Sequence, residues 1–272
     1  MGTAPYNIAG AATTAAHMKK ALIPHSFIER QTYKQIWWVK EGWTHIFPEI
    51  INPFVIANQP PSISAPTGGR GVVHRVALED GGQAIIRRYQ RGGFIRHFFH
   101  ELYWDRPFRP LAELTCTELA RHRGVPTVEV LAAGIEKAGC GFYRGVIVSR
   151  QVEGLTNLWV WLQKQPPQSE RQAVIKAIAQ AIFHMHEAGI RHADLNLTNI
   201  LVGTSTPRPE VRIIDLDRGR VFPGALPNRM RRRSLQRLQR SLNKLDPSGQ
   251  LSSPTDIDLF CRMYHMSLNT LP

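Results

Sequence analysis

The octapeptide His192-Ala193-Asp194-Leu195-Asn196-Leu197-Thr198-Asn199 and the later run Ile213-Ile214-Asp215-Leu216-Asp217 constrain this chain more than any other part of it. Periodic apolar residues mark a helix before the octapeptide. The apolar triplet Ile200-Leu201-Val202 follows it, then a proline-containing turn, and then Val211 to Ile214 returns as a second strand. The second Asp stands sixteen residues after Asn199, which itself stands five after Asp194. That set of groups suits phosphoryl transfer. One carboxylate accepts or orients the proton of the acceptor hydroxyl, while an amide on the same loop and a carboxylate on a later strand hold the Mg²⁺ that shields the phosphates. Asp194, Asn199 and Asp215 fit those three roles. A loop of Asp and Asn that only caps turns would have the same composition; the helix and hairpin around it favour the chemical reading.

The 272 residues and 43% hydrophobic content suffice for a sizeable core in one domain or two lobes. Cys116, Cys140 and Cys261 are odd in number and widely spaced, which argues against a disulfide framework or zinc site and for a reducing cytosol. No apolar run reaches the roughly 18–20 residues that span a bilayer, and the first 17 residues lack the pattern of a secretion signal, so the protein is expected inside the cell. That Ala/Thr-rich opening is either disordered or upstream of a true start at Met18.

Net charge of +13 implies an anionic partner. The charge is concentrated: Arg218 to Lys244 holds eight Arg and one Lys and no carboxylate. Within 228–245, Leu235, Leu238, Leu242 and Leu245 recur at helical spacing between basic residues, predicting a basic amphipathic helix. Its leucines could pack on the core or enter lipid, and its basic face could meet an anionic bilayer, where each Lys or Arg contributes about 1 kcal/mol. The helix lacks the interleaved aromatics of single-stranded nucleic-acid binders, so no nucleic-acid partner is expected.

Residues 18–66, with Trp37, Trp38 and Trp43 and a Pro-rich end, read as an ordered but irregular extension. A glycine cluster, Gly68-Gly69-Arg70-Gly71, precedes a predicted hairpin, Val72–Leu78 and Gln83–Tyr89, joined by Asp80-Gly81-Gly82. Glycines let backbone N–H groups approach phosphate oxygens. Arg87, at the end of that hairpin, can grip phosphates with its fixed fork. Glu113 or Glu118, on a helix predicted from Leu111 to His122, could orient it. Gly145 to Arg150 reads as a strand leading to an adenine-facing hinge near 149–153. A helix with a capping box at Ser169 to Gln172 carries the stripe Val174, Ile178, Ala181, Ile182 and Met185 up to Gly189.

The Asp194-to-Asn199 spacing resembles the catalytic loop of protein kinases, with Ala193 in place of the usual Arg and no Asp-Phe-Gly after Ile214. More specifically, Arg87-Arg88-Tyr89-Gln90-Arg91-Gly92-Gly93, His192 to Asn196, Asn199-Ile200-Leu201, Ile214 to Gly219 and Leu238 to Lys244, in that order, resemble the lipopolysaccharide kinase family of Gram-negative bacteria, and within it 3-deoxy-D-manno-octulosonic acid (Kdo) kinase. The likeness covers about Gly68 to Leu245. It implies an α+β, protein-kinase-like two-lobed fold: an extension over 1–66, a β-rich N-lobe over 67–152, and a mainly helical C-lobe over 153–272. It also implies transfer of the γ-phosphate of ATP to the 4-hydroxyl of Kdo on a lipid A precursor, peripherally at the cytoplasmic side of the inner membrane. Arg87 matches the family pattern; Leu216 and Arg88 replace its usual Phe and His. On this reading Asp194 is the catalytic base, Asn199 and Asp215 hold Mg²⁺, and Gly69, Arg70 and Gly71 with Arg87 and Glu113 bind ATP. Asp217 holds a second metal or caps a turn. Arg91, Arg218 and Arg220 are candidates for the acceptor's anionic groups. A kinase for heptose or another small hydroxyl substrate, and a basic nucleic-acid-binding protein on a kinase-like fold, are the alternatives.

Overall fold

The computed structural model describes residues 23–57, 73–90, 101–104, 107–204 and 208–265. The expected phosphate-facing Gly69, Arg70 and Gly71 lie outside these residues, as does Arg91. The first half of the chain builds a sheet from β1 (Phe27–Gln31), β2 (Gln35–Lys40), β3 (Val73–Ala77), β4 (Gln83–Arg88), β5 (Val130–Gly139) and β6 (Phe142–Arg150). Strand order is β1-β2-β5-β6-β4-β3, with every neighbouring pair antiparallel. The short helix α1 (Pro53–Ile56) and the long helix α2 (Arg109–His122) accompany the sheet. The β3–β4 hairpin forms about the predicted Asp80-Gly81-Gly82 turn, pairing Arg87 with Val73. Alternation along β4 buries Ala84, Ile86 and Arg88 and leaves Arg87 on the other face, the one that meets α2.

The irregular packing expected of residues 18–66 does not hold for 27–40, which add two strands to the sheet. The reason is that β2 is covered on both faces, so it shows no apolar–polar alternation. Trp37 packs with Phe54 of α1, ring centroids 5.2 Å apart, in one core cluster, whereas its neighbour Trp38 enters another with Leu114 of α2. Gly134 of β5 lies opposite Trp37, where a Cβ would come within 2.5 Å of the indole ring.

The second half is mainly helical: α3 (Leu158–Gln163), α4 (Gln168–Glu187), α5 (Asn228–Leu245) and α6 (Pro254–Met263). Short strands β7 (Thr156–Asn157), β8 (Ile190–Arg191), β9 (Ile200–Gly203), β10 (Glu210–Ile213) and β11 (Arg220–Val221) lie between and around them. The stripe Val174, Ile178, Ala181, Ile182 and Met185 buries α4 in the core. The capping box expected at Ser169 does not form. The helix starts two residues earlier, at Gln168 behind Pro167, with no side-chain cap. It ends at Gly189, whose φ of +73° and approach to Gly224 O leave no room for a Cβ.

Helix α5 has the predicted limits, and its leucine stripe faces the protein. Leu235 is buried, and Leu238, Leu242 and Leu245 are partly buried against the same core cluster as α4. Leu235→Ala is therefore expected to destabilise the fold by about 2–5 kcal/mol, measured by urea denaturation. A stable variant that had lost only vesicle binding would place the stripe in lipid instead.

The tail after Asp246, from which the sequence suggested little, forms α6. It opens with a Ser253–Asp256 capping box and packs on α4. There Tyr264 and the fully buried His186 bond, with His186 Nδ1 2.5 Å from the hydroxyl. Burial, helped by Arg231 and His192, pushes the His186 imidazole down to about 3, so it is neutral when folded. The unfolded chain binds that proton near pH 6.5, so this contribution is present above pH 6.5 and is lost as pH falls towards 3. The loss should be about 2 kcal/mol by pH 5, and His186→Gln should remove that share of the slope in denaturation measured from pH 7 to 5.

Candidate active site

The site forms where the β4–α2 pair meets the loop between β8 and β9. That loop is shaped by its own polar side chains. Asn196 Oδ1 accepts from the N–H groups of Thr198 (2.9 Å) and Asn199 (3.1 Å), capping the single 3₁₀ turn Leu197–Asn199. Asn199 Nδ2 in turn donates to Asp194 O at 3.0 Å. This commits the donor end of the Asn199 amide and leaves its carbonyl oxygen, the atom a cation takes.

His192 ties the two halves of the motif together. Its Nδ1 accepts from Asp194 N–H at 3.0 Å, so Nε2 carries the proton and donates to Ile214 O at 2.9 Å. Burial holds this imidazole below its ordinary pKa, in the neutral form the arrangement requires. Ile214 N–H donates to Asn199 O at 2.9 Å, bringing the end of the β9–β10 hairpin beside the loop. The next residue, Asp215, adopts a left-handed conformation with φ of 62°, which Asp tolerates better than most residues.

From the sheet side, Arg87 Nη2 reaches both oxygens of Glu113, at 2.5 and 2.8 Å, and lies 3.2 Å from Asp215 Oδ1. Glu118, the other candidate, pairs with Arg121. The Tyr89 hydroxyl donates to Glu113 as well. Burial pushes the Glu113 carboxyl up to about 7, against the pull of Arg87. Burial also opposes the Arg87 charge, but Glu113 and Asp215 outweigh it and hold the guanidinium protonated. Such a buried pair is costly to break, about 3–5 kcal/mol when one partner is removed.

Asp217 is held by an arginine from the sheet side of the site. Arg109, at the start of α2, grips both its oxygens, Nε to Oδ1 at 2.7 Å, and also lies over the Tyr89 and Tyr103 rings. Arg109 and Asp217 are 108 residues apart, and no local pattern marks the pair. A second contact absent from the sequence reading is Arg237 of α5, whose Nη1 lies 3.0 Å from Asp194 Oδ1. Both side chains are about half exposed, at 46% and 61%, so this pair is worth about 1 kcal/mol or less and opens readily. Arg218 and Arg220 are exposed.

The donor set fits Mg²⁺. Asp215 Oδ1 is buried and makes no hydrogen bond among the described residues, being out of line with Arg87, and Asn199, whose backbone carbonyl accepts from Ile214 N–H, offers a neutral side-chain oxygen from the adjoining loop. Among the described residues no three His, Cys, Asp or Glu side chains converge. Mg²⁺ commonly takes only one or two carboxylates and completes its shell with water and phosphate.

Residues 58–264 match the model of the lipopolysaccharide kinase (Kdo/WaaP) family. The chain belongs to that family. Similar proteins include three named 3-deoxy-D-manno-octulosonic acid kinase. The Vibrio vulnificus protein is 31% identical over 59% of this chain and 65% of its own length. The Xylella fastidiosa one is 32% identical over 65% and 68%, and the Vibrio cholerae one 31% identical over 65% and 72%. Among solved structures, WaaP in complex with acyl carrier protein shares the fold with a TM-score of 0.58 at 19% identity, covering 84% of this chain and 88% of that one. The protein is thus a phosphotransferase of the lipopolysaccharide kinase family, with a kinase-like fold in which a sheet lobe adjoins a mainly helical part.

Proposed function

We propose that this protein uses ATP and Mg²⁺ to phosphorylate the 4-hydroxyl of Kdo on a lipid A precursor. The observation that carries the reading is the convergence of Asp194, Asn199 and Asp215 with the Arg87–Glu113 pair, in a chain similar to several Kdo kinases. Asp194 accepts the proton of the acceptor hydroxyl on a carboxylate oxygen. Asn199 and Asp215 would hold Mg²⁺, which neutralises charge on the phosphates. Arg87, fixed by Glu113, directs its fork at the phosphate groups of ATP, with Gly69, Arg70 and Gly71 as further ATP-binding residues. The sheet over 67–152 serves as the N-lobe and 153–272 as the C-lobe, with 1–66 feeding β1 and β2 into the N-lobe.

The lipid-borne acceptor fits a peripheral position on the cytoplasmic side of the inner membrane. Arg232, Arg233, Arg240 and Lys244 of α5 are exposed cations that suit an anionic bilayer surface. No helix among the described residues is long and apolar enough to cross a membrane. The deciding experiment is Mg²⁺-dependent transfer of labelled phosphate from ATP to a Kdo-bearing lipid A precursor, with heptose-bearing acceptors in parallel. Label on O4 of Kdo, located by NMR, supports the reading. Label on heptose alone would reassign the acceptor, and failure to bind ATP would overturn the assigned nucleotide site.

A further inference from the structure

Asp194 is paired in this structure with a cation that belongs neither to its own loop nor to the sheet. Arg237 is carried to it by α5. One turn further along, Ser241 Oγ accepts from Leu197 N–H at 3.3 Å, so the helix is docked directly on the loop that bears the base. The remaining donors of the Arg237 fork have no hydrogen-bond partner among the described residues. Arg229, Arg233, Arg237, Arg240 and Lys244 recur at intervals of three or four and are all exposed, which makes a cationic stripe that reaches Asp194 through Arg237. The loop itself supplies no cation between Asp194 and Asn199. Arg87 is already shared between Glu113 and Asp215.

We propose that Arg237 is the specificity-determining residue for the acceptor's carboxylate. In the resting site it holds Asp194; when an acidic sugar arrives, its carboxylate takes over the guanidinium, and Asp194 is released to receive the hydroxyl proton. The exchange replaces one carboxylate by another on the same fork, for which an arginine is better shaped than a lysine. The exposure of the existing pair makes it exchangeable, in contrast to the buried Arg87–Glu113 pair. A neutral sugar leaves Arg237 on Asp194 and the base engaged. This inference rests on the Kdo reading, because the acid group of 3-deoxy-D-manno-octulosonic acid is the anion being recognised.

The test compares the native chain, Arg237→Ala and Arg237→Lys on two acceptors: the Kdo-bearing lipid A precursor and the same molecule with the Kdo carboxylate converted to its primary amide. The native chain is expected to prefer the carboxylate in kcat/KM by about tenfold or more. Arg237→Ala should bring that ratio close to one, by raising KM for the carboxylate acceptor and by freeing Asp194 towards the amide, and Arg237→Lys should recover part of it. Because Arg237 is exposed, both variants should melt with the native chain. A preference that survives in Arg237→Ala would overturn the proposal. So would an equal fall in kcat on both acceptors, which would leave Arg237 a positioning role only. A native chain inactive on both acceptors would instead overturn the Kdo reading, and this inference with it.

Discussion

Asp194→Ala is expected to lower phosphate transfer by about 10²–10⁴-fold, the contribution of a positioned general base. The fall should appear in kcat, with ATP affinity nearly unchanged, because among the described residues nothing ties the Asp194 side chain to the Arg87–Glu113 side of the site. Its polar contacts are with Asn196 and Arg237. Stability should hold too. The Asp194 backbone groups that organise the loop, its N–H to His192 and its carbonyl to Asn196 and Asn199, are kept in the variant. Single-turnover transfer and equilibrium ATP binding on the same preparation separate the two effects. A variant that fails to bind ATP would show that Asp194 belongs to nucleotide binding, and one that transfers at the native rate would remove it from the chemistry.

Asp215→Asn should be about as damaging, roughly 10²–10³-fold in transfer, for a different reason. Asn is nearly isosteric and accepts left-handed backbone readily, so the φ of 62° at this position is no obstacle and the fold should be retained. What is lost is the charge on the buried oxygen that has no hydrogen-bond partner. The expected signature is a higher Mg²⁺ requirement, read from the metal dependence of transfer, with partial recovery at high Mg²⁺. Transfer that falls without any change in Mg²⁺ dependence would show that Asp215 acts on Arg87 alone, from which it is 3.2 Å away.

The parts of this molecule that were legible in its sequence are those whose neighbours in space are also neighbours along the chain. The loop from His192 to Asn199 is capped by its own Asn196, and the hairpin that follows returns Asp215 to it sixteen residues after Asn199. Helix α5 was legible because its leucines keep a helical period between arginines, and the β3–β4 hairpin because a Gly-Gly turn separates two alternating runs. The family likeness extended this reading to the fold class, which the structural comparison shows. Strand β2 was obscured because both its faces are buried, so Trp37 and Trp38 present no polar partner to reveal the period. Arg109 on Asp217 and Arg237 on Asp194 are contacts across 108 and 43 residues, made by arginines indistinguishable in sequence from solvated ones. The Ser253–Asp256 capping box is a readable local signal for the start of α6.

The placement of β1 and β2 bears on how this protein relates to its kin. The match to the family begins at residue 58, yet residues 132–136 of β5 pair with residues 35–39, and Trp37 and Trp38 fill both sides of the sheet there. A domain cut at the border of recognisable ancestry would expose that edge and two indole-sized hollows, inviting strand exchange between molecules. Kinship is thus read from fewer residues than the sheet uses: strands from outside the matched range complete the sheet within it.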